Sequence, residues 1–199
     1  MKKLLILTII LAGVSATAMA SPKEGREGKL SFVPKISFGK DTGSNSITDG
    51  DIAFHGLDAD LLYGVTRNFE VGANVSWSPY GIDLDKQEKQ SFKEYDDMLD
   101  TFGLMGVMRY SINQLDVLTP YITARGGWIF GDADFETINE IGKIEGKWAA
   151  GIAIGVEFKN VDLEVGYEIT EFKTSVKSEF YEGTFQEELV YLSVGYRFE

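Results

Sequence analysis

Eight segments of this 199-residue chain alternate apolar residues with polar or very small ones. A period of two residues indicates β-strands whose two faces meet different environments. Across residues 161–172, for example, Leu163 and Val165 share one face, whereas Glu164 and Gly166 share the other. The alternation predicts strands over residues 29–40, 51–65, 69–77, 97–110, 118–130, 148–158, 161–172 and 189–198. In the second segment the phase changes near Gly56, which indicates a β-bulge.

The polar face of these predicted strands is unusual for a surface in contact with water. It carries eight glycines and three arginines, and its other members are Asp58, Asp60, Glu70, Asn74, Ser76, Glu157, Glu164, Glu168 and Ser193. In a soluble β-sandwich or a lipocalin-like barrel, that solvated face would be rich in Lys, Thr and Glu. Glycines beside long charged side chains instead fit the narrow lumen of an eight-stranded barrel. We therefore expect an all-β fold, a closed antiparallel up-and-down eight-stranded transmembrane β-barrel.

The connections and the tryptophans agree with a membrane barrel. Links after the second, fourth and sixth predicted strands are short, whereas residues 41–50, 78–96, 131–147 and 173–188 form long links. Outer-membrane barrels have short periplasmic turns, longer extracellular loops and aromatic girdles at both interfaces. Trp77, Trp128 and Trp148 all fall at the strand ends beside the long links. They are therefore predicted to form the extracellular girdle.

The first twenty residues have the pattern of an export signal. Lys2 and Lys3 precede an apolar run over residues 4–14, and Ala18 and Ala20 give the small-x-small pattern of a cleavage site before Ser21. An apolar run this short is unlike a membrane anchor, which needs about 20 residues. We expect residues 1–20 to be a cleaved signal peptide and residues 21–199 to be one outer-membrane β-barrel domain.

Charge and cysteine content exclude several classes of function. Without the two signal lysines, the chain carries 17 basic and 31 acidic residues, which argues against a nucleic-acid partner. The absence of cysteine excludes disulfides, thiolate metal sites and a cysteine nucleophile. Carboxylates in the long links match no ordered calcium-loop spacing; they are Asp83, Asp85, Asp96, Asp97, Asp100, Asp132 and Asp134. We expect no cofactor and no resident metal.

Three segments carry a family resemblance. They are LDVLTPYITARGGWIFGDAD over residues 115–134, AAGIAIGVEFKNVDLEVGYEIT over 149–170 and YLSVGYRFE over 191–199. Together they resemble the transmembrane domain of the outer membrane protein A type and, more loosely, the small adhesin and opacity-protein barrels. The resemblance implies a bacterial outer-membrane location, contact with outer-membrane lipid and lipopolysaccharide, and the barrel-assembly machinery as a partner during biogenesis. Tyr196 and Phe198 are similar to the C-terminal assembly signal of such proteins.

The charged residues on the inward face are the main candidates for a site. Arg109, Arg125, Glu157, Glu164 and Arg197 are predicted to form an ion network across the lumen. Buried charges have to be paired, so a structural role is the simpler interpretation. The alternative is a gate that opens when the charges exchange partners.

An enzyme is the least supported alternative. The single histidine, His55, lies on the apolar face near the outer end of the second predicted strand, and no nearby motif supplies a serine and an orienting acid. We expect a structural and surface-interacting, adhesin-like protein that presents four loops to an extracellular ligand. A narrow pore for small solutes or ions is the second expectation, and a lipid-modifying enzyme the third.

Overall fold

The computed structural model describes residues 26–42, 53–81, 98–112, 118–136, 141–176 and 181–199. The predicted signal peptide therefore lies outside the described residues. The described residues form nine strands: β1 (Leu30–Asp41), β2 (Ala53–Gly64), β3 (Phe69–Gly81), β4 (Met98–Ser111), β5 (Leu118–Phe130), β6 (Asp132–Glu136), β7 (Ile141–Phe158), β8 (Val161–Val176) and β9 (Tyr181–Tyr196). None of these residues belongs to a helix long and apolar enough to cross a bilayer.

The strands close into an eight-membered antiparallel ring. Consecutive strands pair from β1 to β5 and from β7 to β9, and β5 pairs directly with β7. The ring closes between β1 and β9, from Lys35 opposite Gly195 to Asp41 opposite Leu189. The short strand β6 follows β5 after Gly131 and pairs with the outer part of β7, so β5 and β6 share one position in the ring. The predicted closed, eight-stranded antiparallel barrel is confirmed.

The two faces of the ring differ as the alternation predicts. Large apolar side chains cover the outside, among them Leu61, Val75, Leu104, Met108, Ile122, Ile152, Ile154, Val165, Val190, Leu192 and Val194. Polar and charged side chains are buried inside, together with a smaller number of apolar ones. In water such a surface would be unfavourable, whereas in a bilayer the apolar band meets lipid and the closed ring leaves no backbone edge unpaired.

The two ends of the barrel are distinguished by their connections. One end of the barrel carries the β2–β3, β4–β5 and β7–β8 connections and the start of β1, and we call it the turn end. The loop end carries the β1–β2, β3–β4, β6–β7 and β8–β9 connections. The β7–β8 hairpin at the turn end closes with only Lys159 and Asn160, and Lys159 has a φ of 56°.

The strands at the loop end are longer than the alternation predicts. The predicted long links 131–147 and 173–188 are wrong, because β6, β7, β8 and β9 occupy most of those residues. Pairing continues from Trp148 opposite Glu171 to Gly142 opposite Val176, and from there to Tyr181 of β9. The backbone ladder continues there although the sequence no longer alternates apolar and polar residues, so the alternation could not predict it.

A β-bulge in β2 directs the side chain of His55 into the lumen. Ser37 pairs with Gly56 and Phe38 pairs with Phe54, so His55 is the extra residue of a bulge. The predicted bulge near Gly56 is confirmed. The predicted place of His55 on the apolar face is wrong. The extra residue reverses the alternation, and the His55 ring stacks inside the lumen at 6.4 Å from the Tyr191 ring.

Candidate functional site in the barrel lumen

The lumen near the turn end holds a compact group of opposite charges, which we call the lower cluster. Its members are Arg26, Glu70, Arg109, Glu157, Asp162 and Arg197. Arg109 Nη2 lies 2.7 Å from Asp162 Oδ1, and Arg197 Nη1 lies 2.7 Å from Glu70 Oε1. Three cations face three carboxylates, so the lower cluster is neutral. Such pairing is what permits full burial of these side chains.

Arg26 enters the lower cluster from the segment that precedes β1. Its Nη2 lies 2.5 Å from Glu157 Oε2, and its Nη1 lies 3.0 Å from Glu70 Oε2 and donates to Ser111 Oγ at 2.8 Å. The backbone holds this segment in place, because the Gly28 amide donates to the Gly64 carbonyl at 2.8 Å. Arg26 therefore covers the turn end of the lumen. No periodic pattern surrounds Arg26 in the sequence, so the sequence did not indicate this role.

An apolar layer lies directly above the lower cluster. Val33, Leu62 and Val107 pack together and are almost completely buried. Each precedes or follows a charged or polar inward residue by two positions, as the strand period requires. The Arg109 guanidinium also lies 3.4 Å from the centre of the Tyr121 ring, a cation–π contact. This layer separates the lower cluster from the charges closer to the loop end.

A second charged group, the upper cluster, lies on the loop-end side of this layer. It consists of Lys35, Asp58, Asp60, Arg125 and Glu164. Lys35 Nζ lies 2.6 Å from Asp60 Oδ2 and 3.4 Å from Glu164 Oε2, and Arg125 pairs with Glu164.

Two neutral side chains complete the upper cluster. Asn74 Nδ2 donates to Asp58 at 3.2 Å and to Asp60 at 2.7 Å. The Tyr191 hydroxyl donates to Glu164 Oε1 at 3.2 Å. Unlike the lower cluster, the upper cluster has more carboxylates than cations.

The five residues of the predicted ion network are divided between these clusters. Arg109, Glu157 and Arg197 belong to the lower cluster, whereas Arg125 and Glu164 belong to the upper one. The sequence analysis predicts one network of all five residues. In the structure, the apolar layer of Val33, Leu62 and Val107, called the Val33 layer below, separates the two groups.

Other members of the two clusters were missing from the predicted network. Lys35 and Asp162 lie on the inward phase of their strands, so the alternation contained the signal for both. Asp58, Asp60 and Glu70 were placed on that face but not in the network.

A small polar cavity lies between the upper cluster and the loop end. Its volume is about 20 Å³, enough for about one water molecule. Its walls are formed by Ser37, His55, Gly56, Leu57, Asp58, Asn74, Ser76, Ser78, Met105, Arg125, Glu168 and Tyr191. His55 thus shares this cavity with serines and carboxylates, which the sequence did not indicate. The Ser37 hydroxyl donates to Asp58 at 2.9 Å, so this serine hydroxyl is already engaged with a carboxylate.

The predicted girdle tryptophans lie at the loop end of the wall. Trp128 of β5 and Trp148 of β7 face each other as direct partners, and Trp77 pairs with Phe102. Trp128 is 67% exposed, in keeping with a side chain that faces the surroundings of the barrel. The Phe54 ring lies 6.2 Å from the Trp77 ring and continues the same belt of aromatic residues.

The C-terminal aromatic residues lie at the seam between the first and last strands. The Phe32 and Phe198 backbones exchange two hydrogen bonds of 2.8 Å, and their rings are 6.5 Å apart. The Tyr196 ring lies 4.7 Å from the Phe198 ring. Phe198 therefore extends the closure of the ring beyond the end of β9.

The link carboxylates do not assemble into a metal site in the part of the chain that the structure describes. Asp100 lies in β4, and Asp132 and Asp134 lie in β6. Asp83, Asp85, Asp96 and Asp97 fall outside the described residues.

A closed barrel with an apolar outside, a charged and packed lumen and an aromatic belt defines a small membrane β-barrel. Comparison with protein families identifies which one. Residues 6–198 match the model of the outer membrane protein beta-barrel domain, and the chain belongs to that family. This membership places the protein in the bacterial outer membrane.

Solved structures of other barrels share the fold at low sequence identity. Neisserial surface protein A (NspA) is 14% identical with a TM-score of 0.55; the match covers 85% of this chain and 96% of NspA. The outer membrane protein AlkL is 15% identical with a TM-score of 0.51, covering 91% of this chain and 95% of AlkL. Ail, the attachment invasion locus protein of Yersinia pestis, is 15% identical with a TM-score of 0.49, covering 86% and 99%. No curated protein matches this sequence.

Proposed function

We propose that this protein is a non-conducting outer-membrane barrel that displays an extracellular β-sheet for contact with another protein, in the manner of an adhesin. The observation that carries the proposal is the continuation of β6, β7, β8 and β9 beyond the Trp128–Trp148 pair. These four strands remain paired up to Glu136 opposite Ile141 and Val176 opposite Tyr181. Longer loops of this family face the outside of the cell, so we assign the loop end to the extracellular side.

The described side chains of the projecting sheet include exposed polar residues. Lys147 pairs with Glu171 at 2.7 Å just beyond the girdle, and Thr184 and Gln186 are exposed. A sheet placed there contributes nothing to the membrane wall. It offers backbone groups and polar side chains to the surroundings.

One edge of this sheet suits an extended peptide. The β1 partner of β9 ends with the Thr42 amide donating to the Glu188 carbonyl at 2.8 Å. In the described residues the β1–β9 ladder ends at Asp41 opposite Leu189, so β9 extends further toward the loop end than the described part of β1. An open strand edge binds an extended segment by adding it as a further strand. An extended segment of an extracellular protein is therefore the partner that we propose.

The filled lumen argues for contact rather than conduction. Arg109 and Arg197 are each 1% exposed, and the lower cluster, the Val33 layer and the upper cluster occupy successive levels of the lumen. An eight-stranded barrel leaves space only for side chains. A pore would require these charges to leave their partners, at a cost of several kcal/mol.

Shortening the projecting sheet tests the proposal. In the test variant, a two-residue Asn-Gly turn replaces residues 133–144 and another replaces residues 173–184, since this pair favours a tight hairpin and each turn then joins two paired residues. We expect a heat-modifiable barrel at normal abundance and about tenfold lower adhesion of the bacteria to target cells. The matched control is Arg67→Ala, which changes an exposed residue at the turn end. Unchanged adhesion in the shortened variant would contradict the proposal.

Measurements on the purified protein separate the alternatives. In planar bilayers we expect no stable channels. Large, stable conductance steps would favour the narrow pore, and altered lipid A in a strain that overproduces the protein would favour a lipid-modifying enzyme.

A further inference from the structure

The cavity at the loop end contains more negative charge than its surroundings neutralise. Among the described residues, four buried carboxylates lie in or beside it, Asp58, Asp60, Glu164 and Glu168, together with two cations, Lys35 and Arg125. This excess contrasts with the neutral lower cluster. A buried charge without compensation is strongly unfavourable, so either a proton or a bound cation is expected to neutralise part of this excess.

Of these four carboxylates, Glu168 has the fewest hydrogen bonds and ion pairs with described residues. It lines the cavity, is 7% exposed and accepts one long hydrogen bond, from the Thr170 hydroxyl at 3.5 Å. Within the described residues, no cation lies within 4.0 Å of Glu168, whereas every carboxylate of the two clusters has such a partner.

Asn74 supplies a second and independent observation. It is completely buried and lines the same cavity, and both hydrogens of its amide are directed to Asp58 and Asp60. These two bonds fix the orientation of the amide. Its Oδ1 atom is left as a buried acceptor that receives no hydrogen bond from the described residues. Buried acceptors of this kind are rare, and they point to an ion or water that is held by the site.

The remaining walls provide further oxygen atoms. Ser76 and Ser78 line the cavity, as do Arg125 and His55. Arg125 is engaged with Glu164 and approaches Asp58 only to 4.0 Å. Carboxylate, amide and hydroxyl oxygens are the ligands of hard cations. No group of three or more His, Cys, Asp or Glu residues is arranged for a metal in the described part of the chain, so a cation here needs amide or hydroxyl oxygens among its ligands.

We propose that this cavity is a binding site for one small, hard cation, held by Glu168, Asn74 and Asp58 beneath the projecting sheet. The volume, which is enough for about one water molecule, is enough for a single ion the size of sodium or calcium. The bound ion neutralises part of the charge excess and supplies the missing partner of Asn74 Oδ1. Because it binds the folded barrel and not the unfolded chain, it raises the stability of the barrel.

A salt series on the wild-type protein is the first test. The full-length mature chain, treated with a chelator, is folded into phosphatidylcholine vesicles. Its melting temperature is then measured in sodium, calcium, zinc and choline chloride at equal ionic strength. We expect the melting temperature to increase with the logarithm of the sodium or calcium concentration and to remain unchanged in choline. The sodium and calcium arms identify whether the ion is monovalent or divalent. Equal melting temperatures in all four salts, or a response to zinc alone, would overturn the proposal.

A matched pair of variants locates the site. Glu168→Gln keeps the size of the side chain and removes its charge, and it is expected to weaken the cation response by at least tenfold in concentration. Glu171→Gln is the control, because it removes a carboxylate three residues further along the same strand, where Lys147 is its partner. Terbium luminescence, sensitised by the tyrosines and displaced by calcium, gives a second readout. A wild-type response in Glu168→Gln would show that the ion binds elsewhere.

Discussion

The ring of Tyr191 lies across Gly166 of the neighbouring strand, in the space that a Cβ atom at position 166 would occupy. The same relationship joins Tyr121 and Gly155 between β5 and β7. In both pairs a glycine on the inward face lets a long aromatic side chain lie flat across the lumen. The Tyr191 hydroxyl reaches Glu164 from that position. Glycine therefore determines how the upper cluster is assembled.

Gly166→Ala is expected to destabilise the barrel by about 1–3 kcal/mol, the usual cost of overfilling a packed interior. The added methyl group displaces the Tyr191 ring and lengthens its 3.2 Å hydrogen bond to Glu164. Gly106→Ala is the matched control, since a Cβ there meets its nearest atom, the Gly126 carbonyl oxygen, at 3.8 Å. Urea unfolding in lipid vesicles measures both. Equal free energies of unfolding for the two variants would contradict this account of the lumen.

Arg26→Ala is expected to lower the free energy of unfolding by about 3 kcal/mol, because it leaves Glu70 and Glu157 buried with fewer cations. Adding Glu157→Gln to this variant restores neutrality of the lower cluster. The double variant should therefore lose less stability than the sum of the two single variants. The cycle is completed by urea unfolding of Arg26→Ala, of Glu157→Gln and of the double variant, each compared with the wild type. Strict additivity would show that Arg26 does not act through these charges.

Arg at Ile154 or Val165 is expected to cost about 2–4 kcal/mol, since both side chains face the lipid in the middle of the wall. Thr184→Arg changes an exposed residue of the projecting sheet and should cost less than about 0.5 kcal/mol. Folding titrations in vesicles compare the three variants. A cost for Thr184→Arg as large as that for Ile154→Arg would place the projecting sheet within the membrane.

The sequence was sufficient for the fold but not for the whole of the site. Alternation identified the wall because residues such as Ile154 and Gly155 face lipid and lumen, which differ strongly. It failed for residues 173–186, where β8 and β9 remain paired although the sequence no longer alternates. It also failed at His55, because one extra residue in the bulge reverses the phase.

The partners within the lumen depend on information that alternation does not contain. Glu157 and Glu164 both face inward from neighbouring strands, yet they belong to different clusters. Their level in the barrel depends on the register between strands. Arg26 precedes the first strand altogether, and only the fold of its segment against Gly64 brings it into the lumen.

The orientation of the barrel can be measured directly, because the chain contains no cysteine. Thr184→Cys and a cysteine at Gln186 should react in intact cells with a thiol reagent that cannot cross the outer membrane. Asn68→Cys and Asn160→Cys, both at the turn end, should react only after lysis. Positions in the links around Asp85 and Asn139, and Glu182 near the start of β9, should react like Thr184. Labelling of the Asn68 and Asn160 variants in intact cells would reverse the orientation.

Phe198 has two proposed roles that can be separated. Its backbone and ring join Phe32 at the seam, which is a structural role, and Tyr196 and Phe198 together resemble the C-terminal signal read by the assembly machinery. A residue that closes the seam affects the stability of the folded barrel both in the cell and in the purified protein. A signal residue affects only assembly in the cell, because the purified chain folds into vesicles without the machinery.

Removing Phe198 and Glu199 is therefore expected to leave exported, unassembled chain in the periplasm, while the purified variant still folds. Removing Glu199 alone should have no effect, because Phe198 then becomes the terminal aromatic residue. Phe32→Ala is the matched control, since it removes the ring partner of Phe198 and leaves the C-terminus unchanged. Heat-modifiability and protease resistance of outer-membrane fractions, beside folding of the purified chains, measure the two roles. If Phe32→Ala and the two-residue deletion impair assembly and purified folding equally, Phe198 serves the seam and not the signal.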